Sequence, residues 1–166
     1  MKKTAIRVLA LVILSALMLL SLASCGSVKY SKLGISFEIP RRFEPRALAG
    51  ASFAYGDDES FIVFTRRTRS ELQAGGLSEL DVAEFTDRFL TDNGMKDAIE
   101  VDYSTDRAEF GYVVTDPDNE EVYYYYYTIV LKGSDCIWIV QMACYEALAD
   151  KYVPEFYKWA ESIKVE

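Results

Sequence analysis

The 166-residue chain contains no histidine, which removes every Ser-His or Cys-His nucleophile pair and every histidine-ligated metal from consideration. Whatever chemistry remains must come from carboxylates, cysteines and phenols. Glu100 and Asp102 fall on the same side of an expected strand, as an acid/base pair could, but no apolar enclosure is implied around them and they read as solvated face charges. Asp116, Asp118 and Glu120 in "DPDNEE" have calcium-like spacing. Glu121 stands where an EF-hand needs glycine and Tyr127 where it needs a bidentate glutamate, so the stretch reads as a turn. Nothing in these patterns calls for a metal or a cofactor, and the expectation is a non-catalytic protein.

One cysteine has a clear chemical context. The chain opens "MKKTAIR", continues through 15 uncharged residues at 8–22 and closes on "LASC", the layout of a secretory signal. Fifteen is short of the roughly 20 residues that a helix needs to cross a hydrocarbon core. Leu22, Ala23, Ser24 and Cys25 resemble the bacterial lipobox. That resemblance implies diacylglyceryl transfer to the Cys25 sulfur, cleavage before Cys25 and acylation of the new amino terminus. More than one acyl chain holds a protein stably on a membrane. The expected organisation is thus a signal peptide at 1–24, a lipidated tether at 25–29 and one domain at 30–166. The expected location is extracytoplasmic, with the domain anchored to the bacterial membrane by lipidated Cys25.

Cleavage would remove Lys2, Lys3 and Arg7 and move the net charge from −8 to −11. Such an acidic chain does not fit nonspecific nucleic-acid binding, which needs cations to displace phosphate counterions. Cys136 and Cys144 bracket "CIWIVQMAC". In one extended strand they lie about 26 Å apart, well beyond the reach of a disulfide, and both are expected to be free, packed thiols.

The remaining chemical signal is aromatic: "EEVYYYYYTIVLKG" carries five consecutive tyrosines. Strand alternation sends Tyr123, Tyr125 and Tyr127 to one face and Tyr124 and Tyr126 to the other. Pairing Asp116 with Glu121 would set Val114, Tyr112 and Phe110 opposite Tyr123, Tyr125 and Tyr127. Pairing Lys132 with Asp135 would add Trp138, Val140 and Met142 to that core face. Tyr126 would then lie between Gly111 and Gln141, and Tyr124 between Val113 and Ala143, with Glu109 and Arg107 further along. Tyr124, Tyr126, Gln141 and Arg107 are the expected partner surface, its protein or small ligand unspecified. A purely structural envelope protein would instead cover this face with a helix, and an enzyme would need a deep pocket of converging carboxylates.

The elements that position these residues follow from periodicity and punctuation. "YSKL" and "ISFEIP" form a hairpin around Gly34, and "ASFAYGDDESFIVFTRR" forms a second, turning at 56–59. Residues 78–93 form a helix with Ser78 as its cap, Asp81 at the capping-box position, a Leu77–Val82 staple, a buried stripe of Val82, Phe85 and Phe89, and Gly94 as its stop. "IEVDYS", "RAEFGYVVT", "VYYYYYTIVLK" and "CIWIVQMA" form an antiparallel meander. A closing helix buries Leu148, Tyr152, Phe156, Trp159, Ala160 and Ile163 and kinks or restarts at Pro154. This order makes an α+β fold, an antiparallel sheet of about seven to eight strands flanked by two main helices.

Element order, together with the run "WIVQMACYEALADKYVPEFYKWAESI", resembles the PsbP-like fold across roughly residues 30–165. That family includes the extrinsic P protein of photosystem II, a Ran-binding nuclear import factor and many bacterial lipoproteins. The resemblance implies helices packed on an antiparallel sheet and adaptor or binding work, with no functional residue carried over to a position here. Tracing the hairpins end to end also gathers Arg41, Arg42, Arg46, Arg66, Arg67 and Arg69 at the tethered end of the sheet. That basic rim is expected to face anionic head groups.

Overall fold

Leu33 and Gly34, with φ angles of 56° and 82°, reverse the chain between β1 (Ser27–Lys32) and β2 (Ile35–Pro40), pairing Lys32 with Ile35. Positive φ at both turn positions is the geometry that matches strand twist in a two-residue hairpin. The computed structural model describes residues 26–77 and 80–166. The expected signal peptide, the lipidation site Cys25 and the expected cap Ser78 lie outside the described residues. β1 starts at Ser27, within the stretch expected to be tether.

Two antiparallel sheets make up the fold. A three-stranded sheet has the order β1-β2-β10, with β10 at Lys164–Val165. A seven-stranded sheet has the order β3-β4-β5-β9-β8-β7-β6. Its strands are β3 (Glu44–Arg46), β4 (Phe53–Gly56), β5 (Ser60–Thr68), β6 (Asp102–Ser104), β7 (Arg107–Asp116), β8 (Asn119–Lys132) and β9 (Cys136–Tyr145). Helix α1 (Arg69–Ala74) is an element the periodicity did not indicate, and Thr68 and Glu71 close a capping box at its start. Helix α2 runs over Val82–Asp92. Its N-cap is Asp81, whose carboxylate accepts from the Glu84 amide at 2.9 Å, so the helix begins later than the expected 78. Its buried line is Val82, Thr86 and Leu90, with Phe85 and Phe89 half-buried beside it. A 3₁₀ turn at Glu146–Leu148 leads into α3 (Ala149–Ser162), which runs through Pro154.

The two faces of the large sheet are covered differently. On one, which we term the inner face, α3 and the small sheet seal a core that includes Phe37, Phe64, Trp138, Met142 and Phe156, each fully buried. Burying a side chain of this size stabilises by about 1.5–3 kcal/mol. Trp159 belongs to this core, as its spacing predicted, and Cys136 and Cys144 are free and buried within it. On the other, outer face, α1 and α2 cover Ala108, Phe110, Val130 and Ile137. This cover reaches only one end of the strands.

Candidate aromatic recognition surface

The register of β8 decides which tyrosines meet which neighbours. Asp116 accepts from the Asp118 and Asn119 amides at 2.8 and 3.2 Å, closing a tight turn that pairs Asp116 with Asn119. Asn119 then accepts from the Glu121 amide at 3.1 Å, and the pairing jumps to Thr115 with Tyr123. Residues 120–122 are therefore bulged out of the ladder. Beyond the bulge Tyr126 faces Tyr112 and Tyr124 faces Val114, one residue away from the expected pairing. A one-residue slip exchanges the faces of a whole strand. Phe110, Tyr112 and Val114 consequently share the outer face with Tyr124 and Tyr126, rather than the inner face with Tyr123, Tyr125 and Tyr127.

On the β9 side the slip is two residues, which preserves facing. Tyr127 pairs with Met142 and Leu131 with Trp138, so Trp138, Val140 and Met142 do share the inner face with Tyr127. Gln141 is on the outer face with Tyr124 and Tyr126, although Tyr126 pairs with Ala143 and Tyr124 with Tyr145. Arg107 is on the inner face, and the structure separates it from the other three. Its guanidinium donates to the Ala160 carbonyl at the end of α3, at 3.3 and 3.4 Å, and pairs with Glu109.

The outer-face rings form a continuous series. From α2, Phe89 meets Phe110 at a centroid distance of 6.0 Å, and Phe110 stacks on Tyr112 at 5.8 Å. Tyr112 and Tyr126 lie nearly parallel, 9° apart at 5.4 Å. Tyr126 and Tyr124 each meet Phe61 of β5 edge-on, at 6.1 and 6.4 Å, and Tyr124 stacks on Tyr145 at 5.1 Å. Such pairs each add about 0.5–1.5 kcal/mol beyond their buried area, so the rings support one another where no helix among the described residues covers them. Gln141 donates to the Tyr112 hydroxyl at 2.8 Å, fixing that ring. Tyr124, Tyr126, Tyr112 and Phe61 are half-buried, while Val114 and Tyr145 are 40% and 39% exposed. A groove of about 660 Å³ runs along this strip, lined by Phe89, Met95, Tyr112, Val114, Tyr126 and Gln141.

Burial first, then the neighbouring Tyr145 and Asp116, push the Tyr124 phenol up to about 12. Burial likewise raises Tyr112 and Tyr126. The strip is thus a set of neutral rings carrying neutral hydroxyls at physiological pH. Phe61, Tyr112 and Tyr145 were not foreseen as part of it. Phe61 depends on β5 pairing with β9, a long-range contact no local signal encodes, whereas Tyr112 was visible as an alternation partner and lost only through the register.

A second concavity lies on the inner face at the β6 edge, a cleft of about 490 Å³ lined by Glu100, Asp102, Glu109, Tyr125, Tyr127 and Tyr157. Glu109 is held between the Arg107 guanidinium and the Tyr127 hydroxyl, and Glu100 and Asp102 are exposed at its rim. Gly111 belongs here. A β-carbon at Gly111 would fall against the Tyr125 hydroxyl, so the glycine makes room for an inner-face ring and not for Tyr126.

The six arginines do not assemble into one rim. Strand β3 pairs Glu44 with Gly56 and Arg46 with Ala54, adding one more chain reversal between β2 and β4. Arg42 therefore meets Asp57 at 2.6 Å and Arg46 meets Asp58 at 3.7 Å, at the "GDDE" turn. Arg66 pairs with Asp135 at 2.7 Å at the opposite end, where Arg67 and Arg69 also lie. Arg41 donates its amide to the Gly26 carbonyl at 2.9 Å. The start of β1 is thus beside the acidic "GDDE" turn.

A sheet enclosed by one long helix and a small second sheet on one face, and by shorter helices on the other, defines the α+β class to which the chain belongs. No family model matches the chain, and no curated protein matches it. Among solved structures, the Saccharomyces cerevisiae Ran-binding protein Mog1p superposes with a TM-score of 0.53 at 10% identity, over 86% of this chain and 96% of its own. A protein from Bacteroides thetaiotaomicron gives 0.53 at 10% identity, over 86% of this chain and 49% of that one. The cyanobacterial PsbP protein CyanoP from Synechocystis gives 0.49 at 16% identity, over 86% and 98%. The fold is that of Mog1p, the architecture to which the element order pointed.

Proposed function

We propose that this chain is a membrane-anchored extracytoplasmic bacterial lipoprotein whose domain works as a non-catalytic binding module, docking a partner on the outer-face strip of Tyr112, Tyr124 and Tyr126. The single observation that carries the reading is that, among the described residues, α1 and α2 stop short and leave a self-supported aromatic strip half-open. Aromatic residues left accessible on rigid strands favour recognition, since they offer large contact area with little side-chain freedom to lose. Mog1p binds a protein, Ran, on the same fold, which agrees with binding work here. The carboxylates of the inner-face cleft favour no reaction: Glu109 is engaged by Arg107 and Tyr127, and the other two are solvated.

Two measurements in the native host test the reading. A photo-crosslinking residue at Val114 or Tyr145 is expected to give a discrete adduct, while the same residue at Leu33 or Tyr103 gives none. Equal adducts from all four positions overturn the docking face. Labelling with an alkynyl fatty acid is expected to mark the wild-type chain and to disappear in Cys25→Ser; persistent label in that variant overturns the anchor.

A further inference from the structure

The strip has a charge pattern that selects its occupant. Asp116 lies at its open end, on the β7–β8 turn that also carries Asp118, Glu120 and Glu121, and Glu121 and Glu146 line a concavity with Tyr145; none of the five forms an ion pair among the described residues. Asp116 is close enough to act electrostatically on both Tyr124 and Tyr126. At the β5 side the acids are already answered, Asp57 by Arg42 and Asp58 by Arg46. Unpaired negative charge therefore concentrates where the tyrosine rings are most open.

We infer that the strip takes an extended, arginine-bearing protein segment, with a guanidinium plane against the face of Tyr124 that Tyr145 leaves free, over the exposed rim of Tyr126, and hydrogen-bonded to Asp116 Oδ2, the carboxylate oxygen not used by the turn. The inference rests on the docking face proposed above and adds the chemistry of what docks there. Arginine fits better than lysine because its guanidinium is planar and weakly hydrated, so it can lie on a ring and still present an in-plane donor to a carboxylate oxygen. The groove between Phe89 and Val114 takes apolar side chains placed between the arginines. From Phe61 on β5 to Val114 on β7 is three strand spacings, about 14 Å, the reach of four to five extended residues. Neutral phenols keep the ring faces electron-rich for a cation. The same acids repel phosphate-rich partners, including anionic lipid and nucleic acid.

The test uses the full-length chain in an uncharged detergent and fluorescein-labelled hexapeptides that alternate leucine with arginine, with lysine or with citrulline, the uncharged isostere of arginine. Anisotropy is expected to show saturable binding of the arginine probe, several-fold weaker binding of the lysine probe and about tenfold weaker binding of the citrulline probe. Raising the salt concentration is expected to weaken only the charged probes. Replacing Tyr124 and Tyr126 together by alanine is expected to cost about tenfold, and Asp116→Asn about threefold, while the paired phenylalanine variant retains binding because it keeps the ring faces. Glu100→Gln combined with Asp102→Asn removes two charges outside the strip and is expected to change nothing. Equal affinity for the arginine and citrulline probes, with loss on removing the tyrosines, overturns the cationic specification and leaves the docking face standing. Arginine-probe binding that survives loss of both rings, or that falls equally with Glu100 and Asp102, reduces the effect to general acidity and overturns the inference. Absence of binding by every probe overturns it as well.

Discussion

The two faces of the seven-stranded sheet are built from the same strands and, along β8, from the same residue type. On the inner face Tyr127 is buried beneath α3, with Ile129 and Leu131 following it into the core. One residue away, Tyr126 and Tyr124 lie half-open, supported from the side by Tyr112, Phe61 and Tyr145. The inner face gains stability from enclosure and the open end of the outer face from lateral ring contact. A tyrosine serves either purpose, and what covers it decides which.

The sharpest challenge to that contrast is truncation on each side. Trp138→Ala, at a fully buried inner-face position, is expected to cost about 3–5 kcal/mol in denaturant unfolding. Tyr124→Ala is expected to cost about 1–2 kcal/mol, mostly its ring contacts with Phe61 and Tyr145, since the ring is already partly hydrated. Comparable losses at the two sites would mean that the outer strip is as much core as the inner face.

Gly111 offers an intermediate effect confined to the inner face. Gly111→Ala is expected to destabilise by about 1 kcal/mol because its new methyl displaces the Tyr125 hydroxyl. In a Tyr125→Phe background the same change is expected to cost less, since only the ring carbon at 3.1 Å then has to give way. A double-mutant cycle reads the coupling directly, and no coupling would place Tyr125 elsewhere.

The smallest effect lies in titration. Absorbance at the phenolate band is expected to show Tyr124 ionising near 12, above the ordinary value of 10, together with Tyr103, so that Tyr124→Phe reduces the amplitude of that step. The folded-state value is raised, so this contribution to stability is complete below pH 10 and is lost as pH rises through about 12. A Tyr124 that titrates at its ordinary value would indicate a strip fully open to water.

Much of this fold is legible in the chain because its signals are local. The Gly34 turn fixes the first hairpin, the spacing of Tyr152, Phe156, Trp159 and Ala160 fixes the buried stripe of α3, though Leu148 falls half-buried in the 3₁₀ turn before it, and period two separates the odd from the even tyrosines. What fails is what depends on counting across a turn. The bulge at 120–122 is held by side chains bonding their own backbone, Asp116 and Asn119, and it shifts β7 by one residue. That single shift places Tyr112 and Val114 with Tyr124 and Tyr126, and it leaves Arg107 across the sheet from them. Strand β3 escapes for a similar reason: three exposed residues, Glu44, Pro45 and Arg46, carry no alternation, yet they reverse the chain and divide the arginines between two ends. Helix α1, by contrast, had a readable start in Thr68 and Glu71, the two ends of its capping box.

The hairpin of β1 and β2 also has a mechanical meaning. A pull on Gly26 directed along β1 loads the six pairings from Ser27 with Pro40 to Lys32 with Ile35 together, because the strand must slide past its neighbour before any one pairing can open alone. β10 grips the far end of β2 through Lys164 with Ser36 and Val165 with Ile35, so the load passes into the last residues of the chain. Strain entering at Gly26 is thus resisted first in shear across the small sheet, whose Phe37 packs on Phe64 of β5 at a centroid distance of 4.2 Å.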